Sequence, residues 1–329
     1  PYLLSLRTKP IMKFRAATQD AGCVQYLCKA IVFVSKLANN CVMRCTPDCI
    51  YFVLCGHTVE GGVRVWFEIK RDTLFSDYSM AGLDDEHEEV QLEVVLETMV
   101  GALTKSFGQA RGLRLKLTRR DAAPLLQMEL ELPTVLTDES RHVTHNVPVR
   151  VVPLRYWGEF QTPLEPEFDI SFYFPPLSSV RNVLDRMRNL SNRLTIFAQR
   201  STRDQGKCSM RLSVTNSMAS VSTTFKDLQL PRWRDEPVDA AGDVHNGRNG
   251  DEGDEAEDAE AAAVGVDVPQ SARPVRVAVD IRKIGSLLSS PLACPTRIVC
   301  NLVRHRVAQF FIFYDEVQLQ YFIPALDTE

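Results

Sequence analysis

Apolar and polar positions follow the same order in two parts of the chain. Residues 90 to 130 and 275 to 315 align without a gap, and Val90 corresponds to Val275 in this alignment. Each part predicts a strand with alternating apolar residues, a helix of about three turns, and then a hairpin of two alternating strands. Two segments with one shared pattern indicate a structural unit that occurs twice.

The beginning of each half shows a related pattern. A strand that contains phenylalanine comes first, MKFRAATQ from Met12 and DISFYF from Asp169. Periodicity of the helical type then predicts helices over 22 to 39 and 177 to 191. The strands predicted after these helices span 41 to 55, 63 to 71, 194 to 200, 208 to 215 and 219 to 226. We therefore expect an α+β fold of two similar domains, each with antiparallel sheets and two helices on one face.

Proline and glycine mark the boundary between the two halves. Residues 153 to 168 contain four prolines or glycines and follow a predicted strand, so we expect them to connect two domains. The expected organisation is an N-terminal extension over 1–11, a first domain over 12–152, the connector over 153–168 and a second domain over 169–329. The connector carries four large apolar side chains, those of Leu154, Tyr156, Trp157 and Phe160. They either pack back on a sheet or form a groove for partner peptides.

The net charge of −4 conceals an uneven distribution of charged residues. The segment from Asp235 to Asp267 contains twelve acidic residues and one base, Arg248, which gives it a net charge of −11 and leaves +7 for the rest of the chain. Its repeated acids and low apolar content predict a disordered insert over 235–274. The folded part of the chain is therefore expected to be basic and able to bind anions.

Basic residues occur on all four predicted helices. Lys29 and Lys36 are seven residues apart and share one face of the first helix, as Arg181 and Arg188 do on the third. A single helix of this kind is normally a solvated face. Four such helices on one side of the sheets would form a surface that follows phosphates without reading bases. The candidate residues for this surface are Lys29, Lys36, Lys105, Arg181, Arg186, Arg188, Arg282 and Lys283.

Common signatures of catalysis are absent from the sequence. It contains no glycine-rich dinucleotide loop, no phosphate loop and no His-Glu-x-x-His motif. Cys41, Cys45, Cys49 and Cys55 lack the Cys-x-x-Cys spacing of structural zinc sites, which favours buried, reduced thiols. The acidic residues within 84 to 89 favour a solvated loop over a catalytic carboxylate pair. We therefore expect no enzyme activity, no metal and no cofactor, and no segment reaches the roughly 18 to 20 apolar residues that span a bilayer.

Five short segments carry a family resemblance: MKFRA (12–16), LRLKLT (113–118), TFKDL (224–228), VDIRK (279–283) and LQYFIPAL (319–326). They resemble the Hus-one type subunit of the DNA-damage checkpoint clamp, the nine-one-one complex. LQYFIPAL is the most specific of the five. The similarity runs in order from Met12 to Leu326, and the acidic insert is its main interruption.

The resemblance implies a sliding-clamp fold, the PCNA-like DNA clamp fold, in which three subunits close a ring around duplex DNA. The helices would line the hole and contact DNA without sequence specificity, and edge strands at 143–151 and 219–226 would pair with neighbouring subunits. The implied partners are Rad-nine and Rad-one type clamp subunits, a clamp loader, and repair and checkpoint proteins. The implied location is the nucleus. The chain would be a non-catalytic subunit that encircles DNA and recruits checkpoint signalling and repair factors.

Three other functions are compatible with the residues. The nearest is a homotrimeric replication clamp that confers processivity, which self-trimerisation would indicate. The second is an enzyme that uses the cysteine or acidic clusters, for which stoichiometric bound metal, or activity lost on substituting Cys41, Cys45 or His87, would be required. The third is an interaction scaffold that never encircles DNA. Retention on DNA that does not depend on the helix charges would favour this interpretation.

Overall fold

The computed structural model describes ten stretches of the chain. They are residues 12–55, 62–82, 88–104, 109–133, 140–162, 167–204, 206–231, 273–289, 295–314 and 317–326. The predicted extension 1–11, His87, the DNA-facing candidate Lys105 and all but the last two residues of the predicted insert 235–274 lie outside the described residues. In the described stretches, no helix is long and apolar enough to cross a membrane.

Strands make up most of the described structure. Those of the N-terminal half are β1 (Lys13–Thr18), β2 (Asn40–Cys45), β3 (Cys49–Leu54), β4 (Arg64–Lys70), β5 (Asp77–Ala81), β6 (Val90–Val95), β7 (Gly112–Arg120), β8 (Ala123–Pro133) and β9 (Ser140–Val151). Those of the C-terminal half are β10 (Ile170–Tyr173), β11 (Arg193–Arg200), β12 (Lys207–Thr215), β13 (Ser220–Gln229), β14 (Val275–Asp280), β15 (Arg297–Val303), β16 (Val307–Phe313) and β17 (Val317–Pro324).

The helices are shorter and fewer. They are α1 (Ala21–Ser35), α2 (Arg71–Leu74), α3 (Leu96–Thr104), α4 (Leu177–Met187) and α5 (Ile281–Leu288), and the connector contains a 3-10 helix over Leu154–Phe160. An aspartate caps α1, where the Asp20 carboxylate accepts a hydrogen bond from the Cys23 backbone N–H at 2.9 Å. Asp280 caps α5 in the same way. These side chains satisfy N–H groups that the first turn of a helix leaves without partners.

One continuous antiparallel sheet joins the two halves. Its strand order is β10-β15-β16-β17-β4-β3-β2-β6-β9-β8-β7-β1-β5, and a separate sheet has the order β13-β12-β11-β14. The halves meet where β17 pairs with β4, with Leu319 opposite Phe67 and Tyr321 opposite Val65. Leu319, Phe67 and Val65 are fully buried, so the junction is held by side-chain packing as well as by backbone hydrogen bonds.

Alternate residues of the large sheet belong to two different apolar clusters. Cys41 and Cys45 of β2 lie in the main core, whereas Val42 between them lies in a second, smaller cluster. The buried side chains of α1, α3, α4 and α5 belong to the main core, and Trp157 and Phe160 of the connector belong to the smaller cluster. Because successive side chains of a strand point to opposite faces, the helices and the connector lie on opposite sides of this sheet.

The internal repeat predicted from the apolar pattern is confirmed by the element bounds. β14, α5 and β15 each begin 185 residues after β6, α3 and β7. In both copies a strand leads directly into a helix, and an antiparallel hairpin follows. The predicted antiparallel α+β fold with helices on one face is therefore confirmed.

The prediction of one strand over 41–55 was wrong. The segment contains β2 and β3, and between them the Thr46 backbone N–H donates to the Cys49 carbonyl oxygen at 2.9 Å. Pro47 follows Thr46 and has no N–H to donate to a strand partner, so a tight turn forms there. The prediction overlooked this proline because apolar residues alternate on both sides of it.

Two predicted helices extend too far. The helix predicted over 22–39 ends at Ser35, and the one predicted over 177–191 ends at Met187. After Ser35 the chain makes a turn in which the Leu37 N–H donates to the Val34 carbonyl. The residues that follow the two observed helix ends still show an apolar pattern, because they pack against the core from turns and not from a helix.

The junction between β17 and β4 yields a test of stability. Leu319→Ala is expected to lower the free energy of unfolding by about 2 to 5 kcal/mol, because it leaves a cavity in the main core. Gln318→Ala, its neighbour on the opposite sheet face, is the control and is expected to cost less than about 1 kcal/mol. Urea unfolding of the purified chain measures both. Equal losses would show that packing at Leu319 does not hold the halves together.

Candidate DNA-facing and partner-binding surfaces

The exposed faces of the helices form a predominantly basic surface. Together with their capping residues, α1, α3, α4 and α5 carry seven basic and four acidic side chains. The basic ones are Lys29, Lys36, Arg181, Arg186, Arg188, Arg282 and Lys283. The apolar faces of these helices are buried in the main core, so the charged side chains lie on the side away from the sheet.

Three of the predicted DNA-facing residues extend into solvent. Lys29 is exposed in the middle of α1, Lys36 is exposed at its C-terminal cap, and Arg186 is exposed near the end of α4. Within the described stretches these three side chains take part in no ion pair. Their charge is therefore available to an external anion such as a phosphate.

The remaining predicted residues interact with the chain itself. The Arg181 guanidinium donates to the Leu288 carbonyl oxygen at the end of α5, which fastens α4 to α5. Arg188 forms an ion pair with Asp185 at 3.3 Å, and Arg282 binds the Asp280 carboxylate through two nitrogens. These hydrogen bonds from Arg282 hold the pKa of Asp280 below its usual value.

Lys283 differs from the other described candidates because it is only partly exposed. Its backbone carbonyl accepts a hydrogen bond from the Tyr321 hydroxyl at 3.1 Å, which ties α5 to β17. Tyr321 is almost fully buried. Lys283 therefore helps to attach α5 to the sheet through its backbone, whatever its side chain contacts.

The four apolar side chains of the connector divide into two pairs. Trp157 and Phe160 are 7% and 3% exposed and pack on the outer face of the sheet, so neither lines an open groove. The Trp157 indole N–H also donates to the Val152 carbonyl at 2.9 Å. Leu154 and Tyr156 are 49% and 42% exposed and remain candidates for contact with partners. The sequence could not distinguish the buried pair from the exposed pair, because this segment follows neither a helical nor a strand periodicity.

A buried ion pair anchors the end of the connector. Arg44 of β2 donates to Glu89 at 2.6 Å, and the two side chains are only 13% and 10% exposed. The other Glu89 oxygen accepts hydrogen bonds from Gln91 at 2.8 Å and from Gln161 of the connector at 3.3 Å. Charged groups removed from water in this way are stable only when their hydrogen bonds are satisfied.

The assignment of Glu89 to a solvated acidic loop was wrong. Glu89 stands next to β6 and points to the outer sheet face, where the guanidinium of Arg44 compensates its charge. Arg44 also lies over the Tyr51 ring at 5.1 Å from its centre. The sequence did carry a signal of a buried charge, because Arg44 is the one charged residue of β2. Its partner could not be identified without the tertiary structure.

Several strands have an edge that no strand of the described stretches covers: β5 and β10 end the large sheet, β13 and β14 end the small sheet, and β9 is only partly covered by β6. In the described stretches β13 pairs only with β12, and β9 pairs with β8 over 140–148 but with β6 only over 149–151. The prediction that 143–151 is a free edge was therefore wrong for its last three residues, which already have a partner within the chain. Met218 and Val221 beside the β13 edge are 93% and 38% exposed. Exposed apolar side chains along an open edge indicate a surface that another strand covers.

The four cysteines in and directly after β2 and β3 point to different sides of the sheet. Cys41 and Cys45 lie in the main core, while Cys55 lies in the cluster beneath the connector. The Cys49 thiol contacts Glu68 on this outer face. These four cysteines therefore cannot bind one metal ion together. Burial raises the pKa of the Cys55 thiol to about 11 and those of Cys41 and Cys45 further, which keeps them protonated and unreactive.

Comparison with solved structures identifies the fold. The crystal structure of proliferating cellular nuclear antigen from Entamoeba histolytica matches with a TM-score of 0.61 over 95% of this chain and 99% of that chain, at 13% identity. PCNA from Thermococcus kodakaraensis matches with a TM-score of 0.58 over 94% and 99%, at 12% identity. With its repeated halves, one-sided helices and open edges, the chain has the fold of a sliding-clamp subunit.

Sequence comparison identifies the family. The model of the Hus1-like protein family matches residues 12–327. The human checkpoint protein HUS1 is 32% identical over 315 residues, which cover 96% of this chain and 100% of the relative. The hus1 checkpoint protein of Schizosaccharomyces pombe is 29% identical over 67% of this chain and 71% of the relative. The chain belongs to the Hus1-like family, and as a member with a clamp fold it is a DNA-damage checkpoint clamp subunit; a replication clamp is not favoured.

The Arg44–Glu89 pair yields a prediction about the connector. Glu89→Ala is expected to lower the free energy of unfolding by about 3 kcal/mol, because it leaves the Arg44 charge buried without its partner. The double substitution Arg44→Met and Glu89→Leu removes both charges and is expected to recover most of this loss. Urea unfolding measures the three proteins. A double variant as unstable as the single one would show that the pair matters through shape and not through charge.

Proposed function

We propose that the chain is one of three different subunits in a ring that encircles duplex DNA. Its neighbours in the ring are one Rad-nine type and one Rad-one type subunit. The ring is opened by a clamp loader, acts in the nucleus and recruits repair and checkpoint proteins through its outer surface. The chain itself catalyses no reaction, and its function is topological. Membership in the Hus1-like family and the clamp fold support this proposal.

Two of the open strand edges carry the proposal of a ring. One edge is β9 over 140–148 in the N-terminal half and the other is β13 in the C-terminal half. Each can add a strand from a neighbouring subunit, which would satisfy backbone N–H and C=O groups that otherwise bond only to water. A subunit that uses these two edges has two neighbours, and a head-to-tail arrangement of this type closes into a ring when the rotation between successive subunits closes.

The helix surface supports contact with DNA inside that ring. Lys29, Lys36 and Arg186 are exposed on the side of the sheet opposite the connector, so they would face the hole when the helices do. Single exposed cations bind phosphates weakly and are screened by salt. Weak contacts permit the ring to slide, while encirclement prevents it from leaving the duplex.

The state of association distinguishes this proposal from a homotrimeric clamp. We expect the purified chain alone to have a mass near 37.1 kDa by light scattering after size exclusion, because its two edges fit different subunits. Addition of the Rad-nine and Rad-one type subunits is expected to yield a complex of one copy of each. A stable trimer of the chain alone would contradict the heteromeric ring and favour a replication-type clamp.

Charge reversal tests the DNA-facing surface. Lys29→Glu, Lys36→Glu and Arg186→Glu together are expected to shorten the retention of the loaded ring on circular DNA. They should also reduce the slope of log affinity against log salt by about 3, one for each phosphate contact. The matched control is Arg200→Glu, Arg203→Glu and Arg306→Glu, which makes the same charge change at exposed positions outside the helices.

The readouts separate the role in DNA binding from a role in assembly. Size exclusion with the partner subunits is expected to show normal assembly for both triple variants. Retention that falls equally in the two variants would indicate a general effect of net charge. Loss of assembly in the helix variant alone would mean that these residues are structural.

A further inference from the structure

The small sheet of the C-terminal half, β13-β12-β11-β14, has one face that points away from the helices. Ile196 of β11 and Val277 of β14 point to the other face, where they lie in the main core together with α4 and α5. Phe197 and Arg276 are their neighbours along the two strands, so these side chains point outward. We refer to this outward side as the outer face of the small sheet.

The strands of the small sheet carry an excess of positive charge. They contain six basic and two acidic residues. One of the acids, Asp280, caps α5 and binds the Arg282 guanidinium at 2.8 Å. The other, Asp227, lies near the end of β13, three residues beyond Thr224, which is the cross-strand partner of Arg211. The sheet therefore attracts anions.

Phe197 lies between two arginines on the outer face of the small sheet. It is directly opposite Arg211 of β12 on one side and directly opposite Arg276 of β14 on the other. Directly opposite residues of paired strands point to the same face, so the three side chains share the outer face. The Arg211 guanidinium lies over the Phe197 ring, 5.9 Å from its centre. We call these three residues the Arg–Phe–Arg row.

The two arginines of this row are available to a ligand. Both are exposed, Phe197 is partly exposed, and within the described stretches neither arginine takes part in an ion pair. Adjacent strands are about 5 Å apart, so the backbones of the two arginines are roughly 10 Å apart on either side of β11. Thr224, opposite Arg211, extends the row with a hydroxyl group. The row is therefore a fixed pair of cations with an aromatic ring between them.

This combination of side chains favours a single-stranded nucleic acid over other anions. Guanidinium groups bind phosphates, and an aromatic ring between them offers a surface on which a base stacks. The bases of duplex DNA are already stacked and paired, so they cannot reach the Phe197 ring. A four-stranded antiparallel sheet with helices on one face and stacking side chains on the other is also an arrangement that RNA-binding domains use. An acidic peptide would need only the arginines.

We propose that the Arg–Phe–Arg row binds a single-stranded nucleic acid without sequence specificity. Arg211 and Arg276 bind phosphates of the strand, a base stacks at Phe197, and the Thr224 hydroxyl donates a hydrogen bond to a phosphate oxygen. Because the row and the helices lie on opposite sides of the small sheet, duplex DNA held against the helices leaves the row free. Binding requires only the isolated chain, so this proposal and the proposal of a ring can fail independently.

The test uses a fluorescein-labelled oligothymidylate of about 12 nucleotides and fluorescence anisotropy with the full chain. We expect this probe to bind at least about fivefold more tightly than a duplex of the same length, because only the single strand can offer a base to Phe197. An oligouridylate of the same length is the second arm, and the tighter of the two strands identifies DNA or RNA as the preferred ligand. A glutamate peptide of equal net charge is expected to displace the probe at least about tenfold less effectively than unlabelled oligothymidylate.

Charge reversal of both arginines is the first variant. Arg211→Glu with Arg276→Glu is expected to weaken binding of the oligothymidylate at least about tenfold. The slope of log affinity against log salt should also fall by about 1.4, because each phosphate contact of a single strand contributes about 0.7.

The matched control is Arg15→Glu with Lys116→Glu. These two exposed cations are directly opposite one another on β1 and β7 and also point away from the main core, but no aromatic ring lies between them. We expect this control to leave binding within about twofold, and both double variants to keep the melting temperature of the parent protein, because all four positions are exposed. Ring assembly and retention on circular duplex DNA are expected to stay normal in Arg211→Glu with Arg276→Glu.

Two substitutions of Phe197 examine the stacking contact. Phe197→Leu keeps every charge and is expected to weaken binding of the oligothymidylate about fivefold or more without changing the salt slope, because only stacking is lost. Phe197→Tyr retains an aromatic surface and is expected to bind within about twofold of the parent protein.

Four results would overturn the proposal. The oligothymidylate does not bind, the two double variants have equal effects, or Phe197→Leu binds as tightly as the parent protein. The fourth is displacement of the probe by the glutamate peptide as effectively as by unlabelled oligothymidylate, because the row would then bind any polyanion.

Discussion

The pairing of β17 with β4 is the constraint on which the rest of the structure depends. It turns the sheets of two repeated halves into one antiparallel sheet, so that the strands on both sides of the junction share the same two faces. One face receives all four longer helices and forms the main core, and the other receives the connector. If the two halves were joined only by a flexible linker, the helix charges of one half would have no fixed relation to those of the other.

This arrangement gives the two faces different physical tasks. The helix side combines buried apolar residues with exposed cations, and several of these cations are bound to neighbouring acids or carbonyls within the fold. The connector side uses Trp157, Phe160 and the Arg44–Glu89 pair to fasten a segment without regular strand pairing. The Arg44–Glu89 pair belongs to the sheet side, and its buried carboxylate offers an acceptor to the Gln161 side chain of the connector.

The clamp fold also separates surfaces that could otherwise compete for the same ligand. The exposed lysines of α1 and the Arg15–Lys116 pair of the sheet are all basic, but strand alternation places them on opposite sides of the N-terminal half. The open edges of β9 and β13 lie on neither face, which leaves both faces accessible when neighbouring subunits are present.

The sequence by itself determined the repeat, the antiparallel α+β class and the one-sided helices, because these depend on apolar periodicity and on a gapless correspondence between two segments. It also determined the family, through segments such as LQYFIPAL that lie in the buried junction strand β17. The turn between β2 and β3 was harder to predict. Alternation of apolar residues predicted one strand over 41–55, but Pro47 divides this segment into two strands. Only the tertiary structure decided which charges are free, since Arg181, Arg188 and Arg282 differ from Lys29 and Arg186 by the neighbours they meet and not by their own pattern. The same holds for Glu89 and for Arg15 and Lys116, whose interactions join residues distant in sequence that only strand pairing brings together.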